Sequence, residues 1–259
     1  MSRSDGLPVL VSYPVWDLPT RWFHWLNFLC VVAMSGSGLV ILNAGALDIS
    51  NSGKVLLKTL HGWTGYAFVI NLGVRMVWAF TGNHYARWQQ FVPIGKTYMR
   101  ELRVYLRALV ERRSQHYLGH NPIGRIAVML LFLTLWAQAL TGLFLAGTDL
   151  YLPPFGHWIA QWIAAPGVDP TDLVPYSPDL YDKAAFAEMR ALREPFASLH
   201  LYAFFVLAGL IVLHVAGVIA AELRERSGLV SSMFTGDKVL GGEPVDVPDR
   251  RRAAGPDVG

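Results

Sequence analysis

Long uninterrupted apolar runs, rather than a two-residue alternation, dominate this chain. Trp22–Leu42 contains no Asp, Glu, Lys or Arg, and His61–Thr81 contains one charge, Arg75. Ile126–Thr148 and Leu199–Ala221 contain none, and the last uncharged run reaches back to Pro195. Crossing a bilayer takes about 20 mostly apolar residues. Backbone in hydrocarbon must satisfy its own hydrogen bonds, so such runs are helices. The pattern predicts an all-α, integral membrane four-helix bundle. The first run begins Trp-Phe-His-Trp and has no short apolar core followed by a small-residue cleavage site, so it reads as a retained anchor rather than a signal peptide.

The connections carry the polar residues. In the stretch 82–125, MRELRVYLRALVERR places Arg100, Arg103 and Arg107 on one helical face. That is either a helix lying against anionic lipid heads or an ordinary solvated face. Residues 149–198 form a long Pro-rich, acidic segment, with Asp149, Asp169, Asp172, Asp179, Asp182, Glu188 and Glu194. Within it, GHWIAQWIAA predicts a short helix flat on the outer interface, with Trp158, Ile159, Trp162 and Ile163 on one face. A segment this long usually has a role, such as capping the bundle or docking a partner. Residues 1–240 read as one membrane domain and the Gly-, Pro- and charge-rich 241–259 as a disordered tail.

Basic residues set the orientation. Arg3 and Arg21, eight residues of the middle connection (Arg87, Lys96, Arg100, Arg103, Arg107, Arg112, Arg113, Arg125) and the tail group Arg224, Arg226, Lys238 and Arg250 to Arg252 fall on one side. The other side holds Lys54, Lys58, Lys183, Arg190 and Arg193. Positive residues stay cytoplasmic, so both termini are expected inside.

Composition adds exclusions. The chain is 53% hydrophobic and 16% charged, against about 25% charged for a soluble domain. A net charge of +3 over 259 residues is too weak a field for nucleic acid. The single cysteine, Cys30, supplies neither a CxxCH haem attachment nor an iron–sulfur cluster, so any redox centre needs other ligands.

Histidine is the remaining candidate. His84, His116, His120 and His157 lie in connections, where a polar surface role is the default, but His24, His61, His200 and His214 lie in or at the ends of the apolar runs. Ionisable residues there are costly and point to function. His200 and His214 are fourteen residues apart, which puts them on nearly one helix face and roughly 21 Å apart along the axis. His24 starts the first run on the inner side and His61 starts the second on the outer side. The predicted pairs are therefore His24 with His214 and His61 with His200, one above the other. Two such pairs suit two bis-histidine haems b, and bundle cores commonly hold cofactors this way. A zinc site is disfavoured because the pairs are too far apart to supply four ligands together. Gly38, fourteen residues after His24, would let a macrocycle approach or simply let helices pack. Arg75, fourteen after His61, would partner a haem propionate or extend to the interface.

Several blocks in order, DLPTRWFHWLN, LHGWTGY, VRMVWAFTGNHYARWQQFVP, GHNPIG, TGLF and LH–x13–HVAGVIAAELRERSGLVSSMFTGDK, cover roughly residues 15–240. In these the chain resembles the bacterial cytochrome b561 family, and most closely the b-type cytochrome subunits of membrane-bound nickel–iron hydrogenases. The resemblance implies two haems b on His24, His61, His200 and His214. It also implies electron transfer between a periplasmic redox subunit and membrane quinone within a hetero-oligomeric complex of the bacterial inner membrane. The 149–198 segment is longer than expected for a hydrogenase subunit, which leaves the partner open between a hydrogenase and a c-type cytochrome. A stand-alone quinone-linked oxidase of a small oxidant such as superoxide is the alternative function.

Overall fold

The computed structural model describes residues 10–113, 115–225 and 228–247. Among these residues seven α-helices carry the fold: α1 (Leu18–Leu42), α2 (Asn51–Thr81), α3 (Lys96–Val110), α4 (Pro122–Leu150), α5 (Gly156–Ile163), α6 (Lys183–Glu225) and α7 (Leu229–Thr235). Among the described residues, α1, α4 and α6 are long and apolar enough to cross a membrane. α2 is 31 residues long but carries Lys54, Lys58 and Arg75. Two helices begin earlier than their apolar runs. α2 starts ten residues before His61, so His61 sits inside the helix rather than at its start. α6 starts at Lys183 and contains Pro195, so the expected 149–198 connection shrinks to 151–182. The acidic and basic residues of 183–194 form the first turns of one 43-residue helix.

The chain divides into two compact units. A terminal unit gathers residues 1–24, 75–131 and 210–259. Its core contains Val15, Tyr85, Leu118 and Leu240. Here a two-stranded antiparallel ribbon joins β1 (Val11–Pro14) to β2 (Asp237–Leu240), with Val11 opposite Leu240 and Pro14 opposite Asp237. Helical periodicity gives no hint of it. Lys238 on β2 is buried, donates to the Tyr117 and Gly119 carbonyls at 3.2 Å each, and lies over the Trp16 ring. The expectation of disorder after Leu240 meets a structured segment at first. Asp246 accepts from the amides of Leu118 (2.6 Å) and Gly119 (2.7 Å), and the Val245 amide donates to the His116 carbonyl. The rest of that tail, 248–259, lies outside the described residues, as do Arg3 and Arg226.

Asp17 opens α1. Its carboxylate accepts from the Thr20 amide at 3.1 Å, the Trp78 indole at 2.9 Å and the Asn83 amide at 3.2 Å. This N-cap also fixes the end of α2. Burial opposes ionisation of Asp17, yet these hydrogen bonds hold the carboxyl below its ordinary value. α3 forms where the arginine stripe predicts it. Tyr98 and Ala108 are buried on one face, and Lys96, Arg100, Arg103 and Arg107 are exposed on the other beside Met99, Leu106 and Val110.

A capped unit contains residues 25–74 and 132–209. Its cap is α5 and the connection after it. Ile159, Ala160 and Ile163 pack with Leu173, Tyr181 and Met189, and Tyr181 stacks on Phe186 at 4.7 Å. Trp158 and Trp162 do not share that face, as the sequence suggests they should. They are 62% and 39% exposed while Ile163 is fully buried. Asp182 caps α6 by accepting from the Ala185 amide. Asp149, at the end of α4, joins three helices: Lys58 of α2 lies at 2.8 Å and Arg193 of α6 donates two bonds at 2.6 and 2.9 Å.

Candidate functional site

In the capped unit, His61 of α2 and His200 of α6 face each other. Their ring centroids are 6.4 Å apart and their planes are inclined at 73°. An imidazole nitrogen bonds a first-row metal at about 2.0–2.1 Å and its centroid lies about 1 Å further back, so two rings on one metal have centroids roughly 6 Å apart. The observed spacing fits a single iron between them. The surrounding cavity is apolar, lined by Val31, Met34, Leu135, Ala139, Leu143 and Leu207 among others. Such walls suit a macrocycle.

Each ring has the same local setting. The Ser37 hydroxyl of α1 lies 2.9 Å from His61 Nδ1, and the Thr141 hydroxyl of α4 lies 2.8 Å from His200 Nδ1. The next residue is glycine in both cases. A Cβ at Gly38 would stand 3.4 Å from His61 Cε1, and one at Gly142 3.3 Å from His200 Cε1. Any side chain at either position would press on an imidazole. Gly38 therefore lines the cavity and abuts a ring. Gly142 has the same position on α4 and is legible only as part of TGLF.

The terminal unit brings together the other predicted residues. His24 of α1 and His214 of α6 lie within electrostatic range of each other. Arg75 is 8% exposed, donates from Nη2 to the Ala86 carbonyl at 2.9 Å, and lies over the rings of Phe23 (5.8 Å) and Phe91 (5.2 Å). Among the described residues its Nη1 is buried without a hydrogen-bond partner, although Asp17 lies in electrostatic range. That leaves a donor for a further anion on a bound group.

His120 is the residue that sequence reasoning placed wrongly. It is half-buried, packs against Trp16 with ring centroids 5.2 Å apart and planes tilted at 56°, has a buried Nδ1 without a hydrogen-bond partner among the described residues, and lies in electrostatic range of Lys238, His214 and Arg75. Burial first, then these positive neighbours, push its titration down to about 3. Its place just before the α4 proline gives no signal of this. His84 and His157 are exposed, as expected.

Facing imidazoles in an apolar setting suit a membrane haem protein. The profile of the prokaryotic cytochrome b561 family matches residues 15–236, and the chain belongs to that family. It is a membrane b-type cytochrome of electron transfer. The chain is similar to the probable Ni/Fe-hydrogenase B-type cytochrome subunit of Cupriavidus necator, 26% identical over 90% of this chain and 89% of that protein. It is similar to the subunit of the same name from Bradyrhizobium diazoefficiens, 23% identical over 91% and 88%. A third similar protein, the probable Ni/Fe-hydrogenase 1 B-type cytochrome subunit of Escherichia coli, is 31% identical over 54% and 61%. No solved structure matches.

Proposed function

We propose that this chain is a di-haem b-type cytochrome that carries electrons across the bacterial inner membrane, between a periplasmic redox subunit and the quinone pool. The facing of His61 and His200 carries the reading. Bis-histidine iron has no open position, which suits one-electron transfer rather than substrate binding. His24 and His214 would hold the second haem, fourteen residues further along α6. The iron porphyrins supply the one-electron change. His61 with His200, and His24 with His214, would hold the irons, the apolar walls would exclude water, and Arg75 would offer a buried cation to a propionate.

The ribbon supports four crossings. β1 and β2 pair, so Val11 and Leu240 lie on one side of the membrane and the chain between them crosses an even number of times. α1, α4 and α6 account for three crossings, and α2, about 46 Å long, supplies the fourth. The bias of Lys and Arg puts both termini in the cytoplasm and residues 151–182 in the periplasm. The names of the relatives favour a hydrogenase as the redox partner. The exposed cations of α3, beside exposed Met99, Leu106 and Val110, suit the cytoplasmic lipid interface.

Haem assay of the purified chain tests the reading. We expect two haems b per chain, one lost in His200→Ala and one in His214→Ala, with different midpoint potentials remaining. Fewer than two haems in the parent, or full content in either variant, would overturn it.

A further inference from the structure

The two ligands of the capped unit are held by one repeated device. A hydroxyl has a single hydrogen to donate. Ser37 Oγ lies 2.9 Å from the Ala33 carbonyl and Thr141 Oγ1 lies 2.6 Å from the Ala137 carbonyl, each four residues back on its own helix. These are the usual outlets for a hydroxyl inside a helix. With the hydrogen spent there, the oxygen can only accept from the histidine. Nδ1 must then carry the ring hydrogen in both His61 and His200. In a neutral imidazole this leaves the Nε2 lone pair as the ligating atom.

We infer that Ser37 and Thr141 are positioning residues, which fix the tautomer of His61 and His200 and raise the electron-donating power of both rings toward iron. The inference rests on the proposed haem between these two histidines. The physical basis is general. A hydrogen-bond acceptor on the distal N–H of a ligating histidine orients the ring and increases its basicity. The helical carbonyl polarises the hydroxyl and makes it a better acceptor. The adjacent Gly38 and Gly142 complete the device, because each leaves room for the ring that its neighbour orients. Stronger donation favours ferric iron, so both hydroxyls hold the potential of this haem down.

The two arms are not equal. The Met34 carbonyl also stands near the His61 ring, whereas among the described residues Thr141 is the hydrogen-bond partner of His200 Nδ1. Removing Thr141 should therefore matter more than removing Ser37.

The test is a redox titration, with ferric EPR spectra, of the purified haem-loaded chain carrying Thr141→Ala, Thr141→Ser or Ser37→Ala. We expect Thr141→Ala to raise the midpoint potential of the haem on His61 and His200 and to change its EPR spectrum. Thr141→Ser should restore both, and Ser37→Ala should give a smaller rise. Unchanged potentials and spectra in both alanine variants, with haem content equal to the parent, would overturn the inference and leave the haem assignment standing. If Thr141→Ala loses the haem, recovery in Thr141→Ser supports the role of the hydroxyl and failure to recover refutes it. A parent chain with no haem on these histidines would remove the assignment itself.

Discussion

His61 and His200 meet at 6.4 Å with their planes 73° apart, closer to perpendicular than to parallel. That angle is set by the helices and hydroxyls around the rings. Crossed axial imidazoles leave two iron d orbitals nearly equal in energy, and parallel ones split them. The ferric haem on this pair should therefore give a strongly anisotropic low-spin EPR signal dominated by one large g value. A well-resolved three-line rhombic spectrum assigned to it would contradict the ring geometry.

Arg75 gives a second prediction. Replacing it with Leu removes a buried positive charge beside the haem proposed for His24 and His214. The reduced form gains most from a nearby cation, so the midpoint potential of that haem should fall in Arg75→Leu. The haem on His61 and His200 should keep its potential. A redox titration resolving the two haems reads both outcomes, and no shift in either would leave Arg75 with its packing role over Phe23 and Phe91.

The ion cluster of the capped unit makes a third. Lys58, Asp149 and Arg193 have side chains 23%, 13% and 15% exposed. Asp149→Ala would leave two cations facing each other with little water. Breaking a buried ion pair at one partner costs about 3–5 kcal/mol. Thermal unfolding of the purified chain should show a large drop in midpoint for Asp149→Ala. Asp149→Ala combined with Lys58→Met should recover part of the loss.

Asp17 supplies the pH dependence. Its folded value lies below the ordinary carboxylate value of 3.8. The unfolded chain therefore takes up the proton first as pH falls. The stabilisation is complete well above pH 3.8 and is lost on acidification through and below that value. Asp17→Ala should lose about 1 kcal/mol of stability at neutral pH, as removal of an N-cap does. It should also flatten the acid limb of the unfolding curve measured between pH 6 and pH 3.

Much of the candidate site was legible because its histidines obey helix arithmetic. The fourteen-residue spacing of His200 and His214 and the ends of the apolar runs assign the partners without a structure, and the structure places His61 against His200. Ser37 and Thr141 escape that reasoning. A small hydroxyl in an apolar helix usually serves its own backbone, and nothing in one sequence reports that a ring stands on its other side. His120 escapes because its burial comes from Trp16 and β2, which are remote in sequence. The start of α6 was missed for a different reason. The charges of 183–194 and Pro195 look like a loop, whereas they form helix turns beyond the apolar stretch. Lys238 illustrates the same limit, since a lysine on a four-residue strand gives no sign that it fills a cage of carbonyls.

The ribbon between Val11–Pro14 and Asp237–Leu240 has a consequence for biogenesis. β1 is synthesised long before its partner β2. The core of Val15, Leu118 and Leu240 can close only once β2 has been made. His24 likewise waits for His214. Until then a nascent chain displays an unpaired strand edge and one histidine of the pair proposed to hold a haem. Haem loading proposed for that end would therefore follow the synthesis of α6, and a polypeptide cut short before β2 would keep this ribbon edge open.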